Sequence, residues 1–295
     1  MTIEEHVQQG DYRGALELLA PQLAEPAPDP GLVLMAFNLE VRLQRFDAAA
    51  RSIRRLLGLA PAAAASITMF ERNARAEAMA TARLTDPQLA GRRSGIGAPP
   101  AHALAYVKAA VHHAEHDHAG AAAALAEARQ VTPATPGLLT WRNGRTARFA
   151  DLTDSDDLTG PILPCYDGET LLDLPYLQLR SVTFLDARTS FDVMWIPAGI
   201  VPVTGSPMIV KVPAYHPGTG VATTPEVRIG RLTMWDHSRG YAQAIGQRDL
   251  KLITPDGSAA MVGIQQVRSI ELDAAAPAPT TATGKPKGFW KKLLG

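Results

Sequence analysis

The period of the hydrophobic positions divides the chain in two. In the first half, Leu16, Leu19 and Leu23 recur at i, i+3 and i+7, one face of an α-helix. Three segments share an aromatic or histidine position followed by small residues: Tyr12-Arg13-Gly14-Ala15-Leu16, Phe46-Asp47-Ala48-Ala49-Ala50 and His118-Ala119-Gly120-Ala121-Ala122. Tyr12 and Phe46 are 34 positions apart, the tetratricopeptide period. Phe46 and His118 are 72 apart, close to two periods, so a degenerate unit over 66–100 is expected between them. Pro61 and Pro133 each follow their segment's start by 15 positions and mark helix ends, because proline cannot continue a helix. Glu25–Pro30 and the Gly/Pro-rich stretch 91–100 read as connections. Residues 1–145 are therefore expected to form a TPR-like helical-repeat domain, an array of hairpins with a concave binding face.

From about Thr146 the pattern becomes short β-branched and aromatic runs: Val182–Leu185, Val193–Ile196, Met208–Val212 and Leu250–Ile253. Asp167-Gly168 and Asp256-Gly257 read as hairpin turns, since glycine accepts the positive φ that such turns need. No strand–helix alternation appears, so the expected fold class is α+β: helical repeats, then a small antiparallel β-rich, barrel-like domain over 146–272. Residues 273–295 read as a flexible linker ending in a basic amphipathic tail. There Phe289, Trp290, Leu293 and Leu294 lie among four lysines, a candidate docking peptide.

Composition narrows the function classes. Lys+Arg and Asp+Glu both number 29, so no global field favours nucleic acid or an anionic membrane. The single cysteine, Cys165, lies in an apolar run and reads as a buried structural thiol. The acidic N-terminus lacks the features of a signal peptide, and no run approaches the roughly 20 apolar residues of a membrane span, so a cytoplasmic location is expected.

Candidate chemistry is sparse. In His112-His113-Ala114-Glu115-His116-Asp117-His118, His112 and His116 at i, i+4 of a helix would reach one metal, whereas Asp117 would instead cap the helix that follows. Asp151, Asp154, Asp156 and Asp157 read as a solvated linker, lacking the spacing of a calcium loop. There is no phosphate loop, nucleophile elbow or HExxH, and no cofactor is expected.

A series of short motifs in the second half resembles the ImpE family, also called TagJ or SciE, accessory proteins of bacterial type VI secretion systems. It runs through Phe149-Ala150-Asp151 to Gly160-Pro161, Trp195-Ile196-Pro197-Ala198, Tyr215-His216-Pro217-Gly218-Thr219, Arg231-Leu232-Thr233-Met234-Trp235, Gly246-Gln247-Arg248 and Val267–Leu272. His216 interrupts the family's Y-P-G-S pattern, and Met234 stands where the family has an acidic residue. The resemblance implies an interaction role: binding a helix of the small contractile-sheath subunit (TssB, or VipA) and influencing sheath handling by the ClpV ATPase. On that reading the chain is a non-enzymatic adaptor with Tyr215, Arg231, Trp235, Phe289 and Trp290 as candidate contacts, and Trp195 as a core aromatic. The competing readings are a small hydrolytic or metal-dependent enzyme using the β domain or His112/His116, and a purely structural assembly subunit.

Overall fold

The structure, a computed structural model, describes residues 1–273; the expected linker and tail, with Phe289 and Trp290, lie outside the described residues. Helices α1 (Ile3–Gln8), α2 (Tyr12–Leu23), α3 (Pro30–Arg42), α4 (Phe46–Leu59), α5 (Ala64–Ala82), α6 (Pro87–Ala90), α7 (Ala101–Ala114) and α8 (His118–Val131) pack as successive hairpins. Where a degenerate unit was expected, α5 is a single 19-residue helix and α6 a single turn.

The three matched segments open α2, α4 and α8, and each is preceded by the same turn. Gly10, Gln44 and His116 take left-handed backbone, with φ of 69°, 59° and 62°. The following amide donates back to His6, Glu40 or His112 at 2.8, 2.8 and 2.9 Å, and the left-handed residue's own amide to Val7, Val41 or His113. Two orphan carbonyls at each helix end are thereby satisfied, the Schellman arrangement. Asp11 and Asp117 then cap the next helix, accepting from the amides of Gly14 at 3.0 Å and Gly120 at 2.9 Å.

The strands are β1 (Gly137–Trp141), β2 (Thr146–Phe149), β3 (Asp151–Asp154), β4 (Ile162–Asp167), β5 (Thr170–Pro175), β6 (Leu179–Phe184), β7 (Trp195–Pro202) and β8 (Met208–Pro213). After the one-turn helix α9 (Pro225–Arg228) come β9 (Thr233–Asp236), β10 (Gln243–Gly246), β11 (Asp249–Ile253), β12 (Ala259–Gly263) and β13 (Val267–Leu272). The first strand begins at Gly137, so helix gives way to sheet earlier than the expected boundary at 145. Eight strands form an antiparallel sheet in the order β2-β1-β13-β6-β7-β8-β4-β5, with β12-β11-β3 as a second sheet and β9-β10 as a ribbon. The chain leaves the large sheet after Phe149 and enters the small one at Asp151. Phe149, Leu152, Leu250 and Leu252 from that crossing share one core with Leu163, Val182, Ile200 and Ile270. Gly168 and Gly257 turn the β4–β5 and β11–β12 hairpins at φ 59° and 86°.

The acidic stretch 151–157 is no solvated linker: it forms β3 and the turn after it, and Asp154 and Asp156 are buried. Asp154 pairs with the buried guanidinium of Arg248. Asp156 accepts from the amides of Leu158 at 2.9 Å and Ala244 at 2.8 Å. Asp157 meets Arg129 of α8 at 2.7 Å and the Ala242 amide at 2.6 Å. Sequence composition marks four aspartates as wet; burial is tolerated because cation or backbone donors already wait for them. Cys165 is fully buried, and burial pushes its thiol well up, away from a reactive thiolate.

The helices and sheets lock together through α5. Glu77 accepts from the Tyr166 hydroxyl at 2.6 Å and the Trp195 indole at 3.2 Å. Arg83 of α5 reaches Asp173 of β5 at 2.8 Å. Phe191 stacks on Phe70 at 4.1 Å and faces Trp195 at 6.0 Å, placing Trp195 in the core as expected.

Candidate functional site

The first two hairpins leave one helical face uncovered. On α3, Gly31, Leu34, Met35, Asn38 and Arg42 follow one another at i, i+3, i+4, i+7 and i+11, and line one side of a groove. On α1, Ile3, Glu4, Val7 and Gln8 line another side. The opposite wall comes from the strand region: Phe191 and Val193 of the 3₁₀ turn Ser190–Val193, and Ile229 and Arg231 after α9. The groove encloses about 590 Å³. Val193 is 45% exposed, and Leu34, Met35 and Val7 are partly so, which leaves an apolar strip open to solvent.

Further along the array the same job is already taken. Helix α5 packs against β4 and β5, so the sheet itself covers the helical face there. The α1–α3 portion is not covered in this way, and Phe191 lies at its edge.

At the floor of the groove Arg42 lies over the rings of Tyr12 and Tyr215, at 5.5 and 5.2 Å from their centroids. Its Nη1 donates to the Tyr12 hydroxyl at 3.0 Å and its Nε to Asn38 at 3.2 Å. The Tyr12 hydroxyl donates in turn to the Arg228 carbonyl at 3.2 Å. Backbone contact fixes this end: a Cβ on Gly220 would stand 1.4 Å from the Arg42 carbonyl oxygen, and one on Gly230 1.9 Å from the Tyr215 ring. The segment 214–232 therefore clasps the C-terminal end of α3 through glycines that alone permit the approach.

Residues 146–269, which contain both the clasp and its tyrosine, match the family model described as ImpE protein. Over that stretch the chain carries the pattern of the ImpE family. The type VI secretion system accessory component TagJ of Pseudomonas aeruginosa is 26% identical over 279 residues, 93% of each chain. The crystal structure of protein VPA1032 from Vibrio parahaemolyticus superposes with a TM-score of 0.75, at 14% identity, over 92% of this chain and 97% of that one. That likeness shows a shared fold.

Among the residues singled out from sequence, the fold brings Tyr215 and Arg231 of the ImpE domain into the groove. Trp235 stands apart on the β9–β10 ribbon, 37% exposed beside Met234 at 48%. His216, the interruption of the family pattern, is buried, and burial holds its imidazole well below its ordinary pKa. It faces Asp154 at 3.9 Å and has no surface to offer a partner.

The histidine cluster is not one helical face. Helix α7 ends at Ala114, and His116 sits beyond it in left-handed backbone, so the i, i+4 geometry expected for His112 and His116 does not form. His112 instead lies 2.9 Å from Asp117, repeating the His6–Asp11 contact of the first hairpin at 2.7 Å. No group of three His, Cys, Asp or Glu side chains among the described residues is placed to hold a metal. No single helix among them is long and apolar enough to cross a membrane.

Ile3, Val7, Leu34, Met35 and Arg42 line the groove and belong to none of the sequence motifs. The signal was present in the Asp29-Pro30-Gly31 start, where Asp29 accepts from the Gly31 amide at 2.6 Å and sets the phase of α3. What no local pattern carries is which face of α3 the strand region leaves open.

Proposed function

We propose that this protein is a non-catalytic adaptor of a type VI secretion system, and that its α1–α3 groove takes an amphipathic helix from a component of that machine. The observation that carries this reading is the convergence of an apolar helical face with Tyr215 and Arg231 of the ImpE domain around one open groove of about 590 Å³. Similarity to the accessory component TagJ along nearly the whole chain supports the type VI setting. The family resemblance supports a TssB/VipA-like small sheath subunit as the donor of the helix, in the cytoplasm, with ClpV affected indirectly through what happens to that helix. A capture surface of this kind needs no reacting group, only a groove that stays open until the partner fills it.

Co-purification with the two sheath subunits of a type VI secretion system tests the reading. The wild-type chain is expected to retain the small subunit, and Leu34→Asp, which puts a charge on the apolar strip, to lose it while keeping its melting temperature. Retention that is indifferent to Leu34→Asp and Met35→Asp would move the interface elsewhere; retention of neither sheath subunit would overturn the assignment.

A further inference from the structure

The groove is polar along its length in the sense of having two different ends. Helices α1 and α3 flank α2 in a meander and so run in the same direction. Their N-terminal ends bring Ile3, Glu4 and Gly31 to one end of the groove. Their C-terminal ends bring Arg42 to the other, where Tyr215 and Arg231 meet it. That second end carries cations with no carboxylate in contact, although Glu77 behind Arg42 is near enough to feel its charge. Neither Arg42 nor Arg231 has a carboxylate within 4.0 Å among the described residues, whereas Arg83 and Arg93 both reach Asp173. Arg42 spends two of its donors on neutral groups, Tyr12 and Asn38, and packs its faces on two phenol rings. Arg231 is exposed and makes no side-chain hydrogen bond or ion pair among the described residues.

Covering this end with an apolar surface would strip water from two guanidinium groups and leave them unpaired, which costs more than the apolar contact returns. A carboxylate arriving with the ligand removes that penalty and adds charge-assisted hydrogen bonds to a preorganised arginine. We propose that the groove selects an amphipathic helix with a carboxylate-bearing end, seated over Arg42 and Arg231, and that this end sets the direction in which the helix lies. The inference rests on the helix-in-groove reading above and adds the chemistry of its partner.

Two synthetic amphipathic helical peptides with the same apolar stripe test it, one ending in a Glu pair and the other with Lys at the same two positions. Binding to the full-length protein is followed by fluorescence anisotropy at low and at raised salt. The Glu peptide is expected to bind about tenfold more tightly, with an advantage that shrinks as salt rises. Arg231→Glu, at an exposed position that leaves the fold intact, is expected to reverse the preference. Equal binding of both peptides, abolished by Leu34→Asp, would overturn the carboxylate requirement while leaving the groove as a helix site. A preference that survives Arg231→Glu unchanged would also overturn it. Binding of neither peptide would overturn both readings together.

Discussion

The Nδ1 atom of His113 lies 2.6 Å from the Tyr241 hydroxyl, 128 positions away along the chain. His118 approaches the same oxygen at 3.2 Å. The histidine run that reads in sequence as a metal cluster is thus a clasp between α7, α8 and the loop after β9. Burial draws the His113 imidazole down to about 4, helped by Arg239 and His118, so it stays neutral around pH 7 and can share one proton with the phenol.

Tyr241→Phe removes that oxygen and leaves a buried ring nitrogen without its partner. The expected loss is about 1–3 kcal/mol in urea unfolding. His112→Ala, at the half-exposed neighbour paired only with Asp117, is expected to cost less than about 1 kcal/mol. Equal costs for the two would remove the clasp.

The ion pair of Asp154 and Arg248 is buried, with side chains 1% and 2% exposed, and the Arg248 Nε also donates to the Pro213 carbonyl at 3.1 Å. Asp154→Leu or Arg248→Met alone strands a buried charge, with an expected cost of about 3–5 kcal/mol. The double variant is expected to cost clearly less than the sum, because neither charge is then left over. Additive losses in the double-mutant cycle would show that the two groups do not act as a pair.

Asp156 supplies a pH signature. Burial, and then the charge of Asp154, pushes its carboxyl up from 3.8 to about 7. Between those values the folded protein holds a proton that the unfolded chain has released, so this contribution to stability is full below about 4 and is lost as pH rises to about 7. His113 works the other way: its contribution is present above 6.5 and is lost as pH falls towards 4. The two oppose each other in wild type, so the test is a variant. Melting temperature at pH 5 minus that at pH 8 is expected to be smaller in Asp156→Asn than in wild type; an unchanged difference would contradict the buried-carboxyl assignment.

Glycine replacements separate close approach from mere flexibility. Gly220→Ala places a methyl group against the Arg42 carbonyl and is expected to destabilise by about 1–3 kcal/mol or more. Gly58→Ala, inside α4 with nothing within 4 Å of the new Cβ, is expected to stabilise by about 0.5–1 kcal/mol. Thermal unfolding of both variants checks the pair, and a neutral Gly220→Ala would mean that the clasp is not tight.

Much of the secondary structure was legible because its causes are local. The prolines at 61 and 133 end helices, because the missing amide and the ring cannot continue one. Asp167-Gly168 and Asp256-Gly257 turned hairpins because a positive φ is a property of one residue. The aspartates of 151–157 and the histidines of 112–118 misled for the opposite reason. Their partners, Arg248, Ala244 and Tyr241, stand 85 or more positions away, and no nearby residue signals a donor that distant.

The sequence by itself determined a helical first half, a strand-rich second half and, through its motif series, the likeness of that second half to the ImpE family. Which surface is left open was decided only by tertiary packing. The sheet covers α5, the segment 214–232 seals the end of α3, and the face bearing Leu34 and Met35 is what remains. Helix faces and strand edges are specified by neighbours in sequence; a groove is specified by what fails to fill it, and that is known only when distant segments have been placed.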